Sequence, residues 1–250
     1  MYTDEDEKYV IIDGIYYTKD KTILFDYDDD LFIINVNIID GVIEIAESAF
    51  GCCEDLETVK CPDSLKTIGA SAFAECENLK TVELPYSLET IEADAFCGCK
   101  NLKTVELPKN LVTIGYDVFY GCENLETIEL PDSLLELGES AFKGCTSLTS
   151  LKIPKGVANI ANSLVANCPN LEVLYIPSTI TEFSKGCFLN SFFKEIRVYG
   201  GELSKDAKIS LDSALKLDRE LERKSSDTYI RTTANGVDVK IIQNDVEPQL

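Results

Sequence analysis

A cysteine recurs every 23 residues along the middle of this chain: Cys53, Cys76, Cys99, Cys122, Cys145 and Cys168. In the same phase run Leu56, Leu79, Leu102, Leu125, Leu148 and Leu171, and then Pro62, Pro85, Pro108, Pro131, Pro154 and Pro177. Phe50, Phe73, Phe96, Phe119 and Phe142 form a further row, which Val165 interrupts and Phe188 resumes. Six of the chain's 8 prolines stand at one repeat position, so the period is architectural. A unit of this length cannot bury its own apolar face, and it must stack on its copies as one coil of a solenoid.

Within a unit, Leu102-x-x-Val105-x-Leu107 alternates as a short strand, turning Val105 and Leu107 inward and Thr104 and Glu106 outward. Pro108 ends it, having no N–H to give a ladder. Leu111-x-x-Ile114 predicts a second short extended segment, and the Phe/Cys turn then enters the interior. The pattern L-x-x-V-x-L-P-x-x-L-x-x-I-x-x-x-A-F-x-x-C resembles the BspA-like, or Treponema-type, leucine-rich repeat over residues 31–199. The resemblance implies a right-handed, β-rich solenoid with a parallel sheet along one side, used to bind other proteins. It also implies a surface or secreted, adhesin-like setting in bacteria or protozoa.

The repeat decays at both ends. Ile33-x-x-Val36-x-Ile38 keeps the strand but lacks the proline, and Phe193-x-x-Ile196-x-Val198 is a strand one residue out of phase. Eight rungs result, which at about 4.8 Å per step make a sheet roughly 34 Å long. Residues 1–30 read as a β-hairpin cap turning at Lys19-Asp20-Lys21, and 31–199 as the solenoid. Residues 200–250 read as a C-terminal α+β cap. It comprises an amphipathic helix over 205–224, carrying Ile209, Leu211, Ala214, Leu215, Leu217 and Leu221, and a hairpin turning at Asn235-Gly236.

Composition narrows the chemistry. There is no histidine, which removes Ser-His-Asp and Cys-His nucleophiles, His-bearing zinc sites and imidazole acid/base catalysis together. Net charge is −21, which repels phosphates and anionic membrane surfaces, so neither nucleic acid nor direct membrane insertion is expected. Residues 1–40 carry eleven Asp or Glu against three Lys. The opening MYTDEDEKYV lacks the basic and apolar regions of a secretory leader. The expectation is therefore a cytoplasmic protein if Met1 is the natural start, and a secreted or cell-surface one if a leader has been removed.

Cysteines on neighbouring coils sit on backbones about 5 Å apart, within reach of a disulfide. Six equivalent positions among apolar neighbours read better as compact buried thiols. Cys97-Gly98-Cys99 and Cys52-Cys53 have the wrong spacing for paired zinc ligands, so no metal or cofactor is expected. Asp26 to Asp30 opens like a calcium loop, but Leu31 stands at the glycine position and Asn37 at that of the bidentate glutamate. It reads as a solvated acidic connection.

The outward strand positions remain for recognition. One row is Thr58, Thr81, Thr104, Thr127, Ser150 and Val173; the other is Lys60, Glu83, Glu106, Glu129, Lys152 and Tyr175. Glutamates stacked across parallel strands repel, so either neighbouring Lys80 and Lys103 or a basic partner must offset them. The blander reading is that these carboxylates only keep an exposed sheet soluble. The expected contact set for a protein partner with a basic segment is Thr81, Glu83, Tyr86, Thr104, Glu106, Thr127, Glu129, Lys152 and Tyr175. An enzyme would need an acid and a base in unlike surroundings, which repeat-equivalent glutamates on a flat ladder do not provide. A rigid spacer whose C-terminal tail makes the contact is the structural alternative.

Overall fold

The computed structural model describes residues 9–184, 186–215, 222–223, 228–232 and 238–245. The chain enters through three antiparallel strands, Tyr9–Ile12 (β1), Ile15–Thr18 (β2) and Ile23–Tyr27 (β3). The β2–β3 turn is the hairpin expected at Lys19-Asp20-Lys21. The Asp20 carboxylate closes it, accepting hydrogen bonds from the Thr18 and Thr22 hydroxyls at 2.7 and 2.8 Å. The sequence reading missed β1. Its signal was Asp13-Gly14, a two-residue turn with φ of 51° and 79° that sets Ile12 against Ile15.

Each later period contributes two strands. The first four pairs are Asn35–Asn37 (β4) with Glu44–Ile45 (β5), Thr58–Lys60 (β6) with Thr67–Ile68 (β7), Thr81–Glu83 (β8) with Thr90–Ile91 (β9), and Thr104–Val105 (β10) with Thr113–Ile114 (β11). Then come Thr127–Ile128 (β12) and Glu136–Leu137 (β13), Ser150–Lys152 (β14) and Asn159–Ile160 (β15), Val173–Pro177 (β16) and Glu182–Phe183 (β17), and Glu195–Tyr199 (β18). Even-numbered strands from β4 form one parallel ladder of eight rungs, and odd-numbered strands from β5 form a second. The register is the sequence period itself, Thr58 opposite Thr81 and Thr67 opposite Thr90.

The first ladder is bonded in three blocks, β4-β6-β8, β10-β12 and β14-β16-β18, with β8 and β10, and β12 and β14, remaining neighbours. The second runs unbroken from β3 through β13, forming an eight-stranded sheet with β1 and β2. It opens once: β13 and β15 are not bonded, and β15 pairs only with β17.

Between the ladders each apolar side chain meets its own copy. Phe50, Phe73, Phe96, Phe119 and Phe142 stack with centroids 5.4 to 5.7 Å apart and planes within 7°, and Tyr27 begins the pile at 5.5 Å. Phe188 instead packs edge-on against Phe193 at 5.0 Å. Each Phe/Cys bend needs two left-handed residues. Ser48, Ser71, Asp94, Asp117, Ser140 and Ser163 fill the first slot, and Cys52, Glu75, Gly98, Gly121, Gly144, Asn167 and Asn190 the second. This accounts for Cys-Cys and Cys-Gly-Cys: Cys52 is one occupant of the second slot, and Gly98 is another.

The last step of the first ladder spans 22 residues, Val173 opposite Glu195, as the out-of-phase sequence suggested. A helix, Lys205–Leu215 (α1), follows, with Ser204 accepting the Ala207 N–H at 3.1 Å as its N-cap. It buries Ala207, Leu211, Ala214 and Leu215 and leaves Ile209 exposed. Ser210 accepts the Phe183 N–H at 2.9 Å and donates to the Phe183 carbonyl at 3.2 Å, so α1 stands where the second ladder's next strand would be.

The expected helix over 205–224 is corrected. Residues 216–221 lie outside the described residues, and Glu222–Arg223 is a strand (β19) paired with Thr228–Thr232 (β20). Asp238–Asp245 (β21) pairs antiparallel with β20 and parallel with β18, continuing the first ladder. The expected turn at Asn235-Gly236 lies in 233–237, outside the described residues.

Candidate binding face on the first ladder

Alternation along and just beyond these short strands decides which groups face outward. Val82, Val105 and Ile128 are buried, and Thr81, Glu83, Thr104, Glu106, Thr127 and Glu129 on either side of them are exposed. Pairing of Lys60 with Glu83, of Thr104 with Thr127, and of Lys152 with Tyr175 sets these residues in columns one rung apart. Tyr86 stands outside the columns, in the turn after Pro85, with 67% of its surface exposed.

The offset to the stacked acids differs from expectation. Glu83 is met by Lys60, one rung back, at 3.4 Å, whereas Lys80 pairs with Glu57 at 2.7 Å. Glu106 and Glu129 have no ion-pair partner among the described residues, and neither has Lys103. Three residues along a strand cover about 10 Å while the next rung is about 4.8 Å away, so a lysine reaches its rung neighbour before its sequence neighbour.

Beyond Glu129 the column changes character. Lys152, Tyr175 and Arg197 follow in register, with the Arg197 guanidinium 5.8 Å from the Tyr175 ring centre. Lys152 and Lys155 lie 5.6 and 5.8 Å from the ring of Tyr199, whose hydroxyl donates to the Ile153 carbonyl at 2.6 Å. Arg197 was missed because the 22-residue step moves it off the 23-residue row. Reading the slip through, 22 residues on from Tyr175, would have found it. Glu195 anchors this end, taking Arg197 at 2.8 Å and Lys240 at 3.4 Å. Partial burial alone would raise its pKa, but the Arg197 hydrogen bond and both cationic charges outweigh it, holding the carboxyl below its usual range.

The ladder cysteines belong to the interior, whereas Cys52 is exposed and Cys97 half-buried. The thiols of Cys76, Cys99, Cys122, Cys145 and Cys168 donate to the carbonyls of Phe50, Phe73, Phe96, Phe119 and Phe142 at 3.0 to 3.2 Å. Burial pushes Cys76 up to about 12 and Cys168 up to about 11, and raises Cys99, Cys122 and Cys145 well above the ordinary thiol value. Among the described residues no group of three or more Cys, Asp or Glu gathers as a metal site, and no helix is long and apolar enough to cross a membrane.

Comparison with known proteins places these features. Residues 25–122 and 66–195 match the BspA type leucine rich repeat region, in 6 copies. The chain is similar to the crystal structure of a Treponema pallidum leucine-rich repeat protein, with 31% identity over 85% of this chain and 95% of that one, and a TM-score of 0.61. It shares its fold with a leucine-rich repeat protein from Bacteroides ovatus, at 19% identity, 81% and 63% coverage and a TM-score of 0.59. It shares it also with the pneumococcal vaccine antigen PcpA, at 24% identity and a TM-score of 0.55, over 85% of this chain and 46% of that one. No curated protein matches it in sequence.

Proposed function

Since the chain belongs to the BspA type leucine-rich repeat family, we propose that it is a non-catalytic protein-binding solenoid whose partner lies along the outward face of the first ladder. The observation that carries this reading is the polarity of that face. Glu83, Glu106 and Glu129 form an acidic run, two of the three without an ion-pair partner among the described residues, and Lys152, Tyr175 and Arg197 form a cationic, aromatic run after it. Stacked like charges cost a sheet stability when it stands alone, and a partner's basic segment would remove that cost. Tyr175 backed by Arg197 offers a flat anchor of the kind enriched in binding hot spots. The face needs no chemistry special to one compartment, so the reading is the same for a cytosolic chain and for one displayed at a surface.

Joint replacement Glu83→Gln, Glu106→Gln and Glu129→Gln tests it by affinity capture from the native source. The expected result is at least about tenfold weaker capture, an effect of about 1.4 kcal/mol, with the urea midpoint unchanged or raised. Equal capture with raised stability would leave these carboxylates only a solubility role.

A further inference from the structure

The second ladder is sealed rung to rung from β3 to β13 and again from β15 to β17, but between β13 and β15 it is open. No Cα of one strand lies within 8 Å of a Cα of the other, although bonded neighbours stand about 4.8 Å apart. At the preceding step the N–H groups of Leu135 and Glu136 both reach the Val112 carbonyl, at 3.0 and 3.2 Å, and that of Gly138 reaches Ile114 at 2.9 Å. Their counterparts one rung on, the N–H groups of Ala158, Asn159 and Ala161, make no such bond to Leu135 or Leu137. Both rims therefore carry unmatched ladder groups, carbonyls on β13 and N–H groups on the β15 side.

The opening is confined to this side of the coil. At the Phe/Cys bend the same two rungs are bonded, Ser140 to Asn162 at 2.9 Å and Phe142 to Leu164 at 3.0 Å. In the turn before β15, Gly156 presses on its neighbour so closely that a Cβ there would lie 2.3 Å from the Leu134 carbonyl oxygen. Gly156 also replaces the serine that fastens earlier rungs, where the Ser64, Ser87 and Ser133 hydroxyls donate to Val42, Leu65 and Leu111 of the coil before at 2.6 to 2.7 Å. The result is a groove of about 350 Å³ with Ile114, Leu137 and Val157 among its lining residues and Leu135 on its edge, 59% exposed.

We propose that this opening is a strand-insertion site for an extended segment of a partner protein, entering parallel to β13 and bonding to both rims at once. One added strand sets its two neighbours about 9.6 Å apart, and the separation already exceeds 8 Å. A parallel guest repeats the register of the neighbouring rungs, its N–H groups donating to the Leu135 and Leu137 carbonyls and its carbonyls accepting from the Ala158, Asn159 and Ala161 N–H groups. Charge selects the guest further. Glu136 is the one charged residue lining the groove, and it has no ion pair among the described residues, so the inserted segment carries lysine or arginine opposite it, flanked by apolar residues. The site is separate from the first-ladder face and does not depend on that reading.

The test uses the unmodified protein and a capped peptide, Asn-Leu-Val-Lys-Ile-Gly, which is the chain's own residues 110–115 with lysine in place of Thr113. Amide hydrogen exchange is followed by NMR. In the free protein the amides of Ala158, Asn159 and Ala161 should exchange faster than those of Val112, Thr113 and Gly115, and saturating peptide should slow them at least about tenfold. N-methylation of the peptide at valine, lysine and glycine removes the three donors that would meet Leu135 and Leu137. That peptide should bind at least about tenfold more weakly, the effect of lost main-chain hydrogen bonds. Slow exchange at Ala158 and Ala161 in the free protein would show the ladder closed and overturn the proposal. So would a peptide that gives no protection, or equal protection from its N-methylated form.

Discussion

A cysteine in this molecule acts as a small core residue that happens to own a hydrogen-bond donor. Each ladder thiol from Cys76 to Cys168 lies under a bend and donates to a phenylalanine carbonyl of the coil before, which an alanine could not do. Their raised pKa values make stability depend on pH at the alkaline end. A buried thiol is protonated in the folded state and begins to ionise near its ordinary value of about 9 once unfolded. Its contribution is thus full below that pH and lost as pH climbs through about 11 to 12, the range of Cys168, Cys61, Cys76 and Cys187. Each such thiol adds about 1.4 kcal/mol of lost stability per pH unit inside that window. Urea midpoints should therefore fall steeply between about pH 9 and pH 11, and Cys122→Ala should fall less steeply than the parent. Parallel slopes would show that Cys122 does not titrate this way.

At the scale of elements, the ladders were legible because contact between rungs is a translation. A residue's main neighbour is its own copy 23 positions away, so the phenylalanine pile, the thiol row and the Thr/Glu columns could be read before any coordinates. What was not legible departs from pure translation. Lys80 was credited to Glu83 because the two are close in sequence, yet the rung geometry gives it to Glu57. Arg197 was hidden by a single-residue slip, and β19 by helical spacing that continued on paper beyond Leu215. The way the second ladder ends could not be read either, because Ser210 takes the part of a strand from within a helix. Removing that hydroxyl leaves the Phe183 N–H and carbonyl without their partner. Ser210→Ala is expected to cost about 1–2 kcal/mol, with faster amide exchange at Phe183. An unchanged urea midpoint would mean that water replaces the serine without loss.

For the whole molecule, a solenoid's stability is close to a sum of rung stabilities and nearest-neighbour interfaces. The β13–β15 opening then has a meaning apart from any guest. The same boundary is where the aromatic pile stops, since Val165 follows Phe142, so one interface is short of both ladder hydrogen bonds and ring stacking. In the sequence it coincides with Gly156, where Ser64, Ser87 and Ser133 stand in earlier units, and with Val165, where phenylalanine recurs. Coupling between coils should be weakest there. In rising urea, amide exchange should show residues before Glu136 and those after Asn159 opening as two groups with different midpoints, and a single shared midpoint would count against it. The chain would then behave as two cooperative folding blocks joined by a soft interface, the shorter C-terminal one able to come apart while the longer one holds.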